Sequence, residues 1–576
     1  MTTAASQPTP LYLAPEGLER PLRVALVGPP QIPGWVHAFT RLVSAYDWVE
    51  LSTLTAADAE LPRIAGVRAD LRALIAFERL VLGNNASLKP TSMPRSAAQG
   101  AGSLSAQVEA LRPDLVILLG PRSWADSLAA LAPLGVWHLD ASLLDARHAG
   151  LSLMSPLLRG EMATQMALVL LDADGRQSDL AASWGRTHST SFMKQREEGF
   201  RKLPPLLLRG LRRLAAGYVP SPPNKVATLQ LQSQPSVGLN AIVRSLLLMA
   251  RASLRWLSGR KRKRRIGWTL VLRLDGTPLD PSAPVIGPHV LLRAAKGWWA
   301  DPFIITSQDR RFLFVEEMAT PDLNNANIAC VELTQGGARR LGVALDEPGH
   351  LSFPQVFEWE GQYYMTVESS YDRRITLYRA SEFPMHWERV ADLVTGRVCV
   401  DPTLHHHEGR WYLFTNVSES GSSTSDELFL FVSEHLEGPF VPHPASPIVC
   451  DVRRARMAGR LFHHHGRLIR PAQDCGPGYG NAVVFNEVLE LGPAVYRERQ
   501  LSRLAPRLKR QVAGCHTYNV YGGVEVLDVL GRQPSSAPRL QVFEGGENAD
   551  SERGELPNRS DPMTSTGRAV PNVRPR

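Results

Sequence analysis

The sequence predicts two main domains, an α/β Rossmann-like domain followed by an all-β five-bladed β-propeller. The chain has 576 residues, more than one hydrophobic core usually organises. Before residue 217, short apolar runs alternate with helix-compatible segments. After residue 267, short strands rich in aromatic and β-branched residues follow one another without a helical period, and a strand–turn–strand pattern recurs at the spacing of a propeller blade.

The α/β domain is predicted over residues 21–217, after a leader of residues 1–20 that we expect to be flexible. Its first strand is the run LRVALVG, which is short, apolar and ends in glycine at residue 28. Two further runs of this kind, DLVILLG and GVWHLD, each follow a helix-compatible segment. Alternation of such strands with helices predicts a buried parallel sheet.

Residues 218–267 are predicted to link the two domains, because proline, serine and glutamine dominate their first part. An amphipathic helix is predicted next, followed by six consecutive basic residues, Arg260–Arg265. Arginines interrupt the apolar face of that helix, so it is not expected to span a bilayer. The combination instead predicts contact with an anionic membrane surface. No nucleic-acid partner is expected.

The ends of the chain and its cysteines bear on where the protein works. The N-terminus lacks a basic start followed by an apolar run, so it does not predict a secretory signal. Five cysteines without a CxxC pair favour reduced core thiols over a disulfide framework or a zinc site. We therefore expect a cytoplasmic protein, peripheral to the inner face of the membrane if the basic run binds there. The tail, 531–576, has too few apolar residues to bury and is predicted to be disordered.

The propeller is predicted over residues 268–530 from an internal repeat. Segments that begin at Ala300, Ser352, Val400 and Ala458 each consist of a strand, a tight turn and a second strand. Their prolines at 302, 354 and 402 are 52 and 48 residues apart, which is the length of one four-stranded blade with its connections. The region YGNAVVFNEVLEL is predicted to supply the fifth blade.

A polar residue recurs near the end of the second strand of each repeat. Alignment on the hairpin turns places Glu317, Glu368, Asn416 and Gln473 at one equivalent position. Equivalent positions of a propeller surround its central axis, so these side chains are predicted to line a polar funnel and bind substrate. The alternative interpretation is that they are solvated strand ends.

The segments WWADPF and VDPTL resemble blade starts of the five-bladed family 43 glycoside hydrolases, and the resemblance covers most of residues 290–500. It implies that Asp301 is a general base and that Asp401 orients or tunes an acid, as paired carboxyl groups around a sugar carbon require. The acid itself is implied to be a glutamate that opens the fourth blade. This sequence has Arg456, Met457 and Ala458 there, so the proton donor is missing from its expected place.

A more specific resemblance is to the N-terminal propeller domain of glucosamine inositolphosphorylceramide transferases. It rests on WWADPF, HLSFPQVFEWEGQYYM, RMAGRLF and RPAQD. It implies a role in glycolipid metabolism, although the transferase centre of that family is thought to lie in a separate domain. If Arg456 and Arg470 face the funnel, they are predicted to bind a phosphate or carboxylate of the substrate.

Two histidine triplets, at 405–407 and 463–465, do not predict a metal site. Adjacent residues of a strand point to opposite faces, so three in a row cannot all bind one ion. No metal is therefore expected.

The stretch that begins GVWHLD and ends LLDADG resembles the formyltransferase fold over about 150 residues, as a loose match. The resemblance implies catalytic roles for His138 and Asp174, with Asp172 as an alternative to the latter, and formyl-tetrahydrofolate as cofactor. Val136 stands where the family has asparagine, which implies weak or absent activity. The turn after the first strand is not GxGxxG, so a dinucleotide cofactor is not predicted.

These observations predict a carbohydrate-active protein of surface-polysaccharide or glycolipid metabolism, in which the propeller binds or processes a sugar substrate. One alternative is N-formylation of an amino sugar by the N-terminal domain. Another is a non-catalytic glycan-binding or scaffold protein.

Overall fold

A computed structural model describes residues 8–218, 226–231, 247, 267–531 and 540–544, apart from gaps at 57–58, 68, 84, 95–101, 173, 190, 277, 319–324, 370 and 506–511. The predicted membrane-contacting run Arg260–Arg265, almost all of the predicted amphipathic helix and most of the predicted disordered tail lie outside these residues. No helix of the described ranges is both long enough and apolar enough to cross a membrane.

The N-terminal domain is a seven-stranded sheet flanked by helices. Its strands are ordered β3-β1-β5-β6-β9-β7-β8 and are parallel except around β7, which runs antiparallel to both of its neighbours. The elements are β1 (Leu22–Gly28), β2 (Gln31–Pro33), α1 (Gly34–Val43), β3 (Val49–Thr55), α2 (Ala69–Leu82), β4 (Pro90–Ser92), α3 (Leu104–Leu111), β5 (Leu115–Leu118), α4 (Ala125–Ala129), β6 (Val136–Leu139), α5 (Ala141–Leu144), α6 (Met154–Arg159), β7 (Ala163–Leu171), β8 (Gln177–Arg186), α7 (Phe192–Ala215) and β9 (Val226–Leu231).

This architecture confirms an α/β domain with a mostly parallel sheet, while its formyltransferase type stays a prediction. Two boundaries differ from the sequence-based ones. Strand β9 lies within the predicted linker and pairs with β6, because VATLQL is apolar enough to be buried in the sheet. The predicted flexible leader contains Leu11 and Tyr12, which are buried because their apolar side chains join the core.

The described residues of the C-terminal domain form five sheets. Four of them follow one another along the chain, and the fifth is closed by strands from both ends of the domain. The strands are β10 (Gly267–Arg273), β11 (Val290–Leu292), β12 (Trp298–Ser307), β13 (Arg310–Met318), β14 (Asn327–Thr334), β15 (Gly337–Leu345), β16 (Ser352–Trp359), β17 (Gln362–Ser369), β18 (Arg374–Glu382), β19 (His386–Val394), β20 (Cys399–His407), β21 (Arg410–Val417), β22 (Leu428–Ser433), β23 (Val441–Pro442), β24 (Phe462–His464), β25 (Arg467–Asp474), β26 (Ala482–Leu491), β27 (Tyr496–Leu504), β28 (Val512–Gly514), β29 (Tyr518–Tyr521), β30 (Val524–Gly531) and β31 (Val542–Glu544).

The predicted five-bladed propeller is confirmed, with one correction. Blades 1 to 4 are β12–β15, β16–β19, β20–β23 and β24–β27, and blade 5 combines β10 and β11 with β28, β29 and β30. The run predicted as the fifth blade instead forms β26 of blade 4. The sequence-based assignment was wrong because blade 5 is assembled from segments that lie more than 200 residues apart, and such pairing leaves no local repeat.

Candidate active site at the propeller centre

Blades 1, 2 and 3 share a strained residue near the start of their innermost strand. Asp301, Phe353 and Asp401 have φ values of 47°, 53° and 50°. Each precedes a proline and sits where the register between the first two strands of the blade shifts. A non-glycine residue in the left-handed region costs about 1–3 kcal/mol. Because Phe353 shares this conformation, it belongs to the blade architecture, and blades 1 and 3 differ by placing a carboxyl group there.

Asp401 accepts hydrogen bonds from three donors at the centre of the propeller. Arg456 donates from Nε and Nη2 over 2.6 and 3.1 Å, and Gln473 donates from Nε2 over 2.8 Å. The backbone N–H of Asp401 donates to Glu368 Oε2 over 3.2 Å. Four residues that the sequence predicted for the site therefore lie together: Glu368, Asp401, Arg456 and Gln473.

Asp301 lies in a second group of buried polar residues, contributed by blades 1 and 5. The hydroxyl of Thr517 donates to Asp301 Oδ1 over 2.6 Å, and Nε2 of His516 is 3.4 Å from the same oxygen. The other ring nitrogen of His516 is 2.6 Å from Asp528 Oδ2. The backbone N–H of Asp301 donates to that oxygen of Asp528 over 3.1 Å. A stacked Trp268 ring, 3.9 Å from the His516 ring, covers the imidazole.

Tyr479 connects the two groups. The Arg456 guanidinium lies 4.8 Å from the centre of the Tyr479 ring. The His516 ring packs edge-on against the Tyr479 ring, with the two ring centres 5.2 Å apart. Burial, together with the nearby carboxylates of Glu316, Asp401 and Asp528, raises the pKa of Asp301 to about 7, although His516 opposes the shift. Asp301 and Asp401 therefore share one electrostatic environment, as expected for residues that converge on one centre.

His516 is held as a cation between carboxylates. Burial works against its charged form, but Asp528 and Asp301 outweigh burial and raise the pKa of His516 to about 9. Ligand atoms of Asp301, His516 and Asp528 lie within 4.8 Å of one another, the only such group among the described residues. A metal ion could bind to this group only with loss of the proton from His516.

One predicted funnel residue, Glu317, lies one position beyond the residue of blade 1 that is equivalent to Glu368. The strand register pairs Ala300 with Glu316, as it pairs Ser352 with Glu368, so Glu316 is the true equivalent. Glu316 is 3.2 Å from Nε2 of His350 and contributes to the raised pKa of Asp301. Glu317 instead accepts hydrogen bonds from Trp299 and from Arg340. The same register shift occurs in blades 1, 2 and 3, and Glu316 follows Pro302 by as many residues as Glu368 follows Pro354, so the sequence alignment was one residue out in blade 1.

Two further predicted residues serve the scaffold. Asn416 donates to the carbonyl of Glu427 over 3.0 Å and accepts from the backbone of Met457 over 3.3 Å. Arg470 is fully buried and donates to both oxygens of Glu498, at 2.7 and 2.8 Å. Each is committed to partners within the protein, so the predicted role of Arg470 in holding an anion is not supported.

Sequence reasoning missed Glu316, Tyr479, His516, Thr517 and Asp528. Asp528 had a signal, since a charged residue within the apolar run VEVLDVLG must be paired if it is buried. The other four lie outside the X-Pro motif that marked blades 1 and 3.

The residues predicted for formyl transfer are not brought together. His138 lies near the end of β6, where its Nε2 is 3.1 Å from the carbonyl of Gly120, and burial lowers its pKa. Asp174 is exposed in the turn between β7 and β8. Because β7 runs antiparallel to β6, the turn after β7 lies at the level where β6 begins, whereas His138 lies near the end of β6. The formyl-tetrahydrofolate prediction therefore rests on the sequence alone.

The fold and the site define a class of protein, a five-bladed propeller with carboxylates from several blades at its centre. Residues 283–522 match the family model "Glucosamine inositolphosphorylceramide transferase 1, N-terminal". The propeller is thus similar to the N-terminal domain of that family, which confirms the resemblance predicted from the sequence.

Named relatives agree with the family match. The chain is 30% identical over 263 residues to glucosamine inositolphosphorylceramide transferase 1 of Oryza sativa subsp. japonica, a match that covers 45% of this chain and 34% of the rice protein. It is 35% identical over 204 residues to the protein of that name from Arabidopsis thaliana, covering 34% of this chain and 26% of the relative. The chain therefore spans about a third or less of the length of these relatives.

Solved structures were matched at lower similarity. The family 117 glycoside hydrolase Zg3597 from Zobellia galactanivorans is 12% identical with a TM-score of 0.30, and the match covers 41% of this chain and 85% of that one. The family 43 β-xylosidase/α-arabinofuranosidase CoXyl43 from a compost metagenome is 13% identical with a TM-score of 0.31. This match covers 43% of this chain and 96% of CoXyl43.

Proposed function

We propose that this chain is a carbohydrate-active protein of glycolipid or surface-polysaccharide metabolism, whose propeller centre binds and processes a sugar substrate. One observation carries the proposal. Asp301 and Asp401 occupy equivalent positions of blades 1 and 3, and both are buried in polar groups that Tyr479 connects. The similarity to glucosamine inositolphosphorylceramide transferases supports the substrate class.

The chemistry of the centre suits a substrate recognised through hydroxyl groups. Asp401 already neutralises the Arg456 guanidinium, so that arginine is not available to bind a phosphate or carboxylate. With a pKa of about 7, Asp301 exists in both protonation states near neutral pH. A carboxyl group of this kind can accept a proton from a water molecule or from a sugar hydroxyl that attacks an anomeric carbon.

The test replaces Asp301 by asparagine, which has the same shape and still accepts the hydrogen bond from Thr517. We expect turnover to fall by about a hundredfold or more, because the base is lost, and glycan affinity to weaken because the carboxylate no longer accepts hydrogen bonds from sugar hydroxyls. Glycan-array binding and hydrolysis of a panel of aryl glycosides would measure this, with thermal unfolding alongside. Asp309→Asn is the matched control, since Asp309 is exposed in the hairpin of the same blade. Unchanged glycan binding together with a large loss of stability would show that Asp301 has a structural role instead.

A further inference from the structure

The centre needs a proton donor if it is to break a bond to a sugar, because a poor leaving group must be protonated as it departs. The segment in which the sequence led us to expect that donor provides Arg456, whose guanidinium is bound to Asp401. Both carboxyl oxygens of Asp401 are already engaged by three hydrogen bonds from Arg456 and Gln473, so Asp401 is committed to partners within the protein.

Glu368 lies beside Asp401 in a different environment. Its Oε2 accepts the backbone N–H of Asp401 over 3.2 Å and is 3.7 Å from the Arg456 guanidinium, beyond hydrogen-bond distance. The Glu368 side chain is 10% exposed, against 2% for Asp401 and 4% for Asp301. Of these three carboxyl groups, Glu368 therefore has the fewest charged donors and reaches furthest towards solvent.

The neighbouring carboxyl groups of Glu368 and Asp401 have different environments and are therefore suited to different roles. Burial, followed by the negative charge of Asp401, raises the pKa of Glu368 well above its usual range, although Arg456 opposes the shift. Two carboxyl groups this close do not both ionise readily, and the one with fewer donors keeps the proton. The raised pKa therefore favours the protonated form of Glu368.

We propose that Glu368 is the acid that protonates the leaving oxygen of the sugar substrate, a role that rests on the proposed function. The Glu368 carboxyl proton moves to the glycosidic oxygen while the bond from that oxygen to the anomeric carbon breaks, and its electron pair stays on the oxygen. A water molecule or an acceptor hydroxyl forms the new bond to the anomeric carbon and gives its proton to the Asp301 carboxylate. Exchange with solvent then returns a proton to Glu368 and removes one from Asp301.

The experiment compares leaving groups in the full chain. Phenyl glycosides need a proton donor, whereas 2,4-dinitrophenyl glycosides leave without one. For Glu368→Gln we expect kcat/KM to fall by about 10²- to 10⁴-fold on the phenyl substrates and by less than about tenfold on the dinitrophenyl substrates. The fall of kcat/KM at alkaline pH should also disappear. Glu360→Gln, an exposed position in the hairpin of the same blade, is the matched control.

Equal losses of Glu368→Gln on both substrates, or no loss on either, would overturn the proposal. If Glu368→Gln does not fold, Glu368→Asp keeps an acid one methylene shorter, and the same leaving-group comparison decides. If the wild type turns over no glycoside but binds glycans in a manner that depends on Asp301, the acid role of Glu368 is wrong while sugar binding stands. If binding is also absent, the proposed function fails with it.

Discussion

At the scale of single residues, the propeller centre contains buried charged side chains that are paired with one another. Asp528 accepts backbone hydrogen bonds from His516 and Thr517, each at 3.0 Å, and its other oxygen lies against the His516 ring. These hydrogen bonds hold Asp528 against the His516 ring, and the charges of Asp528 and Asp301 raise the pKa of His516 although burial opposes the shift. His516 therefore links the stability of the fold to pH.

The first prediction at this scale concerns stability above neutral pH. The pKa of His516 rises from 6.5 to about 9 on folding, so its contribution is complete below pH 6.5 and is lost as pH rises through 9. That loss is on the order of 3 kcal/mol at most. We expect the thermal unfolding temperature to fall between pH 7 and 9.5. The double variant His516→Gln/Asp528→Asn, which replaces the pair by amides, should lose most of this dependence. A wild-type curve that is flat over this range would contradict the assignment.

About half of the residues at the polar centre were named from the sequence, and their roles in substrate binding and catalysis stay predictions. Asp301 and Asp401 were found because each precedes a proline at a repeated position, a pattern visible in the chain itself. Glu317 was placed one residue too far along, although the spacing from Pro302 to Glu316 equals that from Pro354 to Glu368 and identifies Glu316 from the sequence alone. His516 was missed because its partners come from distant segments, and residue type alone does not identify them.

At the scale of elements, helix α7 joins the two domains. Ser191 caps its start by accepting the backbone N–H of Lys194 over 3.2 Å. Further along, Lys202 is 2.6 Å from Asp426, and Arg209 pairs with Glu419 and Glu427, all of them carboxylates of the segment between β21 and β22. These pairs are nearly excluded from water, so the loss of one partner leaves an uncompensated buried charge.

Substitution of Lys202 by methionine tests this interface. We expect a loss of about 3–5 kcal/mol of stability, since Asp426 would be left buried without its cation. Lys194→Met provides the control on the same helix, because Lys194 is exposed and such surface changes typically stay within about 0.5 kcal/mol. The double variant Lys202→Met/Asp426→Asn should recover most of the loss. Thermal unfolding of the three variants measures both effects, and equal behaviour of Lys202→Met and Lys194→Met would show that the pair does not matter.

At the scale of the whole molecule, the two domains share a hydrophobic core. One buried cluster contains Tyr12 and much of α7 together with Phe429 and other residues of blades 2 and 3. The Tyr12 and Phe429 rings are 6.2 Å apart, and the Tyr12 hydroxyl donates to Glu419 over 2.7 Å. A backbone bridge between Trp184 and Asp451 adds a second connection. The sequence indicated two domains but not this junction, since it joins segments more than 200 residues apart.

The shared core leads to the last prediction, which concerns how the chain unfolds. Domains joined by a small polar interface usually unfold separately, whereas those that share buried charges and apolar contacts lose stability together. We therefore expect differential scanning calorimetry of the full chain to show one main transition. The variant Lys202→Met/Arg209→Met, which leaves buried carboxylates of blade 3 unpaired, should lower and broaden that transition or divide it into two. Two well-separated transitions in the wild type would show that the α/β domain and the propeller are independent units, and that the contacts of α7 contribute little to cooperativity.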